Sequence, residues 1–342
     1  MSSDPVTADL TSNTEGTPRE RLTRTFFFLC AFVSVLTTVG IVLALVVDAA
    51  KFFRLTGGLL GIPAEQTVPV VDFLTGTRWS PALRGGTGEY GFGVLELVSG
   101  TLIITVGSAL IALPLGLATA VYLSEYANPR LRAYLKPALE VLAGVPTVVY
   151  GFFALVYITP ALDVVLPVDL STFNALSASI VVGIMIIPMV SSISEDAMSA
   201  VPDDLRQAAY GMGATKFDVS TGVVVPAAAS GIASSFILAI SRAIGETMAV
   251  TIAAGMTPRL PPGGAVDVGG VTIPYPTAET PGVYAEPIQT MTSAMVELAT
   301  SDITGSGAAY NSLFAIGLTL FVITLAMNIV SDVVAERYRE EY

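Results

Sequence analysis

Six stretches of this chain run for about twenty residues or more with almost no charge, and nothing else limits its fold so tightly. A helix rises 1.5 Å per residue, so roughly 20 apolar residues cross the ~30 Å hydrocarbon layer of a bilayer. No water is available there, and a spanning segment of this length satisfies its own backbone only as a helix. The runs are 26–47, 94–123, 137–157, 172–193, 223–255 and 311–330. The expectation is an all-α membrane protein of about six transmembrane helices. Run 94–123 exceeds one perpendicular crossing, so tilt or an interfacial end is expected. Pro114, Pro146 and Pro188 fall within three of the runs. Kinks that line a pathway and kinks that serve packing alone both remain open.

Composition agrees. Charged residues make up 13% of the chain, where a soluble domain carries about a quarter. Histidine is absent and the single cysteine, Cys30, lies inside the first run. Imidazole catalysis, Cys/His metal centres and an intrachain disulfide are excluded, and no cofactor is expected. The net charge is −12 and lysine occurs only at Lys51, Lys136 and Lys216, so no basic patch is available for nucleic acid. Abundant acid with scarce lysine resembles salt-adapted microbial proteins, which gives the expectation of a salt-adapted archaeon's cell membrane. Arg19, Arg21 and Arg24 precede the first run as they would a signal peptide, but the run is longer than the ~7–15-residue core of a cleavable one. A retained anchor is expected.

Basic residues set the orientation, since they favour the cytoplasmic side. The first tail, the segments 124–136 and 195–219 and the C-terminus hold ten of them; the opposite segments hold five, namely Lys51, Arg54, Arg78, Arg84 and Arg259. Both termini are therefore expected in the cytoplasm. The expected organisation is a tail at 1–25, a first span at 26–47, an external segment at 48–93, a core at 94–333 and a tail at 334–342. The core contains a cytoplasmic loop at 195–222 and a long external loop at 257–310. Both external segments are read as docking surfaces for an outside partner, with a solvated linker as the alternative.

The cytoplasmic loop is the most informative segment. Pro202, Asp203 and Asp204 have the character of a helix start, with carboxylates at the positive end of the dipole. Leu205, Ala208, Ala209 and Met212 follow at helical spacing, and Gly211 and Gly213 can end the helix. Such an amphipathic helix is shaped to enter a groove on a partner, apolar side first. The spacing of Gln207-Ala208-Ala209, Gly213 and then Val223, Val225 and Pro226 resembles the signature of the permeases of ABC importers. Gln207 stands where that family has an acidic residue, which removes one ion pair and leaves the shape.

The resemblance implies a type I ABC importer permease bundle whose coupling helix (Asp203, Leu205, Gln207, Ala208, Ala209, Gly213, Ala214, Thr215) fits a cleft on nucleotide-binding ATPase subunits. No phosphate-cradling Gly-x-x-x-x-Gly-Lys-[Ser/Thr] loop is present, so the chain is expected to be a transport subunit and not itself an enzyme. Two further segments are similar to phosphate-specific permeases of the PstC type: Val145-Pro146-Thr147-Val148-Val149-Tyr150-Gly151 and Arg242-Ala243-Ile244-Gly245-Glu246-Thr247-Met248-Ala249-Val250. That likeness, across about 94–333, implies phosphate as cargo, a second related permease of the PstA type and an external phosphate-binding protein.

Arg242 and Glu246 carry the physical argument for the substrate. They are charges inside an apolar run, about 24 Å beyond Pro226 along a continuous helix. Intramembrane charges are costly and generally face a partner or a wet pathway. At i, i+4 they are expected to share a helix face and pair, with an arriving oxyanion competing for the guanidinium fork. A purely structural ion pair is the alternative. Thr247, Thr147 and Tyr150 are weaker candidates for hydrogen bonds along the route. Three other functions stay open: a permease for sulfate or molybdate, an ion-coupled secondary transporter, and a membrane scaffold or sensor.

Overall fold

A computed structural model describes residues 18–53, 68–81, 91–268, 271–276, 280–301 and 307–337. Those residues belong to two compact units, Met1–Asp48 and Ala49–Tyr342. Helix α1 (Pro18–Phe52) accounts for the described part of the first unit. From Leu22 to Val47 its Leu, Val, Ile and Phe side chains are exposed on nearly every face. A helix that is apolar all round suits a membrane span.

The second unit opens with a short helix, α2 (Val70–Thr75), and a small antiparallel pair, β1 (Trp79–Ser80) and β2 (Gly91–Phe92). The long helix α3 (Leu95–Val121) ends in a π-turn at Tyr122–Tyr126. It is followed by α4 (Pro129–Ala143), an amphipathic helix without one buried residue. Next come α5 (Thr147–Phe153), a π-turn at Ala154–Ile158 and α6 (Thr159–Val165). Helix α7 (Ala175–Ser199) is the most enclosed of the candidate spans. The segment after α7 forms α8 (Asp203–Gly211) and α9 (Lys216–Val219), then a π-turn at Ser220–Val224 and α10 (Val225–Ala227). Helices α11 (Ala229–Ile244) and α12 (Met248–Ala254) lead to a hairpin of β3 (Gly263–Val268) and β4 (Val271–Pro276). A 3₁₀ turn at Thr280–Ala285, α13 (Met291–Thr300) and α14 (Ala308–Arg337) complete the unit.

Among the described residues five helical segments are long and apolar enough to cross a membrane: Leu22–Phe52, Leu95–Tyr126, Thr147–Val165, Ala175–Ser199 and Ala308–Val330. The bent pair Lys216–Ala227 and Ala229–Ile244 makes six if counted as one span. Two expected boundaries are corrected. The third span starts at Thr147, not at 137, because Gly144-Val145-Pro146 separates it from α4. Pro146 is thus no kink inside a span but the residue capping a helix start, where its missing N–H costs nothing. The expected continuous run 223–255 is broken twice, by a 70° bend at Ala228 and again at Gly245–Thr247.

Two of the π-turns, at Ala154–Ile158 and Ser220–Val224, run directly into helices with a proline in the first turn, Pro160 and Pro226. A proline ring crowds the carbonyl four residues back and offers it no N–H, so the preceding turn widens. Close helix contact comes from small residues. A Cβ on Gly116 of α3 would lie 2.6 Å from the Val190 side chain of α7, so only glycine lets the two axes approach this far. Three buried clusters result. One lies between α3, α5, α7, α11 and α12; one gathers Phe52, Phe73, Trp79 and Leu97 with α13 and α14; one joins α8 to the ends of α3 and α7.

Candidate transport pathway and coupling helix

The two segments that resemble phosphate permeases meet in space. Helix α5 packs on α12, and a Cβ on Gly151 would lie 2.8 Å from the Ile252 side chain and 3.1 Å from the Ala249 carbonyl. Tyr150, Ala154, Ala249, Val250 and Ala253 fill the space around that contact. The Tyr150 hydroxyl donates to the Leu142 carbonyl at 2.8 Å, which ties α5 to the end of α4. Its proton is therefore committed to backbone. Thr147 is the first residue of α5 and is half-buried.

Arg242 and Glu246 do not form the expected pair. Helix α11 ends at Ile244, and Gly245 and Glu246 turn the chain away, so the i, i+4 geometry of a continuous helix is lost. Glu246 is 7% exposed, and its Oε1 accepts from the Ala249 N–H at 3.3 Å, capping α12. Its carbonyl accepts from Thr292 Oγ1 at 2.8 Å. Thr247, half-buried in the same break, donates to the Gly245 carbonyl at 3.2 Å. The 70° bend also resets the depth of Arg242, which lies about 20 Å along α11 from Ala229 at 1.5 Å per residue.

Arg242 lines a cavity of about 370 Å³ between α4, α7 and α11, together with Lys136, Glu140, Ser192 and Glu195. Glu195 is fully buried on α7 and bonded to Arg132 Nη2, to Lys136 Nζ at 2.7 Å and to Ser199 Oγ at 3.1 Å. Lys136 also reaches Asp196 at 3.0 Å. Hydrogen bonds to Glu195 and then Asp196 hold the Lys136 ammonium above the ordinary lysine range. The sequence reading counted Arg132 and Lys136 as orientation charges and missed this clamp. Its signal was available: two cations at i, i+4, and an acidic pair ending an apolar run.

The helix of the importer-like signature is built as a platform. Leu205, Ala209 and Ala214 pack inward against Ala120, Met198, Val219 and Val224. Arg206 donates to Glu125 at 3.3 Å and to the Met198 and Val201 carbonyls at 2.7 and 2.6 Å. Gly213 has φ +88°, with its N–H on the Tyr210 carbonyl and the Ala214 N–H on the Ala209 carbonyl. That is a Schellman cap. Thr215 and Asp218 then close a reciprocal capping box on α9, a Thr-x-x-Asp signal that the sequence reading passed over. Asp203, Gln207 and Ala208 are exposed, as are Tyr210, Met212 and Phe217. The expected apolar face is thus divided: Leu205 and Ala209 serve the protein's own core, while Met212 points outward with two aromatics.

Apolar helices long enough to span a bilayer, with a capped amphipathic helix between two of them, define a helical membrane protein. Residues 112–340 match the family of binding-protein-dependent transport system inner membrane components. The chain belongs to that family and is a multi-pass membrane protein. It is 31% identical to the probable ABC transporter permease protein YqgH of Bacillus subtilis, over 86% of this chain and 84% of that one. It is 30% identical to the phosphate transport system permease protein PstC of Xylella fastidiosa, over 88% of each. The corresponding PstC of Mesorhizobium japonicum is 34% identical over 74% of each. A bacterial alginate ABC transporter chain has the same fold, with TM-score 0.60 at 12% identity over 94% of this chain and 96% of that one.

Proposed function

We propose that this chain is the permease subunit of an ATP-driven phosphate importer, inserted in a prokaryotic cell membrane with both termini in the cytoplasm. The observation that carries the reading is the platform at 203–219. Its inner side is locked to the core by Leu205, Ala209 and Arg206, while Tyr210, Met212 and Phe217 are left for a partner. A helix fixed on one side and apolar on the other transmits force from a separate nucleotide-binding subunit. Asp203, Gln207, Ala208, Gly213 and Thr215 complete that surface. Phosphate as cargo is supported by the phosphate transport for which the PstC relatives are named and by Arg242, a cation in a spanning segment that lines a cavity.

The remaining assignments follow from the same reading. A second, PstA-type permease completes the pathway, and an external phosphate-binding protein docks on 48–93 and 257–310. Arg242 receives the oxyanion; Glu246, Thr247, Thr147 and Tyr150 shape the break beside it. The acidic, lysine-poor composition points to a salt-adapted archaeon. Co-purification followed by uptake of labelled phosphate into proteoliposomes tests the proposal. ATP-dependent uptake that sulfate and molybdate leave unaffected is expected. Uptake driven by an ion gradient without ATP overturns the importer, and competition by sulfate overturns the cargo.

A further inference from the structure

The cavity beside Arg242 has an arrangement of hydrogen-bonding groups that the pathway reading does not use. Four polar side chains on three helices face it with capacity to spare. Among the described residues Arg242 makes no ion pair or hydrogen bond through its guanidinium, and neither the Ser192 hydroxyl nor the Glu140 carboxylate has a partner. The Lys136 ammonium carries three N–H donors. Glu195 and Asp196 take two of them, which leaves one for the cavity. Glu195 already accepts from Arg132, Lys136 and Ser199, and Glu246 accepts from the Ala249 N–H of α12. Neither forms an ion pair with Arg242 among the described residues.

The cavity therefore offers donors from α4, α7 and α11 and, among the described residues, one carboxylate with no cation bound to it, Glu140. An ionised carboxylate can only accept. A fully ionised oxyanion such as sulfate would set oxygen lone pairs against it, and so would a phosphodiester headgroup, which has no acidic proton at neutral pH. Inorganic phosphate keeps at least one P–OH under the same conditions. It can donate that proton to Glu140 while its ionised oxygens accept from Arg242, Lys136 and Ser192. The volume admits a tetrahedral anion with several waters, at roughly 30 Å³ each.

We propose that the α4–α7–α11 cavity is a binding site for a protonated tetrahedral oxyanion, with Arg242 and Lys136 as its cationic contacts and Glu140 as the residue that selects for the proton. The proposal rests on the phosphate-import reading and adds Lys136, Ser192 and Glu140 to it. Selection comes from the repulsive element as much as from the attractive ones. The site discriminates by what Glu140 refuses.

The test uses the assembled complex with the substitutions Cys30→Ala and Met189→Cys in this chain, which place its one thiol in the cavity wall. The rate at which an anionic methanethiosulfonate labels this chain is followed against added inorganic phosphate, sulfate or glycerophosphocholine. Phosphate is expected to slow labelling and the other two to leave it unchanged. Lys136→Gln should raise the phosphate concentration for half-protection about tenfold or more, the loss of one charge-assisted hydrogen bond. Asp196→Asn, which weakens the clamp without touching the cavity, should not. Glu140→Gln, whose amide can donate, should let sulfate protect at concentrations similar to phosphate. Equal protection by sulfate and phosphate before any change at Glu140, or no protection by phosphate in a complex that imports it, overturns the site. A complex that imports no phosphate overturns the parent reading instead.

Discussion

Arg242 and Glu246 show how much one peptide break changes at the residue scale. The same two side chains that could neutralise each other on a continuous helix are separated by the end of α11, and each is assigned a different task. Arg242→Gln is expected to abolish ATP-driven phosphate uptake while the complex still assembles and binds its ATPase; normal transport by that variant removes Arg242 from the pathway. Glu246→Ala should act mainly through α12, at a cost of about 1 kcal/mol for a lost helix cap, read as a lower unfolding midpoint. Lys136 adds a pH dependence of definite sign. Its folded pKa is raised by Glu195 and Asp196, so its contribution to stability is complete below the ordinary lysine pKa and is lost as pH rises through the folded one. Cross-linking between α4 and α7 should thus be unchanged from neutral pH to about 10 and fall only beyond it. A decline already at pH 8 would contradict the clamp.

Element by element, the coupling platform separates what holds the fold from what meets a partner. Arg206 is 16% exposed and ties α8 to Glu125 and to the carbonyls ending α7. Arg206→Ala leaves a buried carboxylate without its cation, at roughly 3 kcal/mol, and should destabilise the purified chain even without its ATPase. Phe217→Ser and Met212→Ser should leave that stability within about 0.5 kcal/mol, as surface changes do, and uncouple ATP hydrolysis from transport. If the Arg206 variant and the two serine variants behaved alike, the whole platform would be structural. The location of this helix was legible, because Pro202, two aspartates and Gly213 punctuate it. Its facing was not: Leu205 and Met212 are equally apolar on a helical wheel, and only the ends of α3 and α7 decide that Leu205 turns inward. The same limit explains the third candidate span, where hydropathy alone ran the amphipathic α4 together with the apolar α5. The Gly144–Pro146 break carried that information, and hydropathy outweighed it. Of the site, Arg242 was legible as a lone intramembrane cation. Glu140, Ser192 and Lys136 were not, since they come together only when α4 folds back on α7.

On the scale of the whole molecule, charge and lipid impose separate demands. Spans such as α1 expose Phe and Val along their length because bilayer, not protein, is their solvent. The polar ends carry the surplus of acid, 28 acidic residues against 16 basic ones. Several carboxylates there, Glu140, Asp163, Asp169 and Asp204 among them, have no ion partner among the described residues. Like charges at the ends of a bundle repel across its loops, and the repulsion falls with the screening length, from about 10 Å at 0.1 M salt to about 3 Å at 1 M. The permease embedded in nanodiscs should therefore unfold at a higher temperature in molar potassium chloride than in dilute buffer. A rise of ~3 °C corresponds to roughly 2 kcal/mol for a protein of this size. Potassium sulfate would confuse the result, because it also strengthens apolar burial by exclusion from the surface; chloride isolates the screening. The clamp at Glu195 is buried and hence only weakly screened, so the gain should survive Asp196→Asn. A midpoint that stays flat or falls with chloride would mean that the acidic composition is not an adaptation to salt.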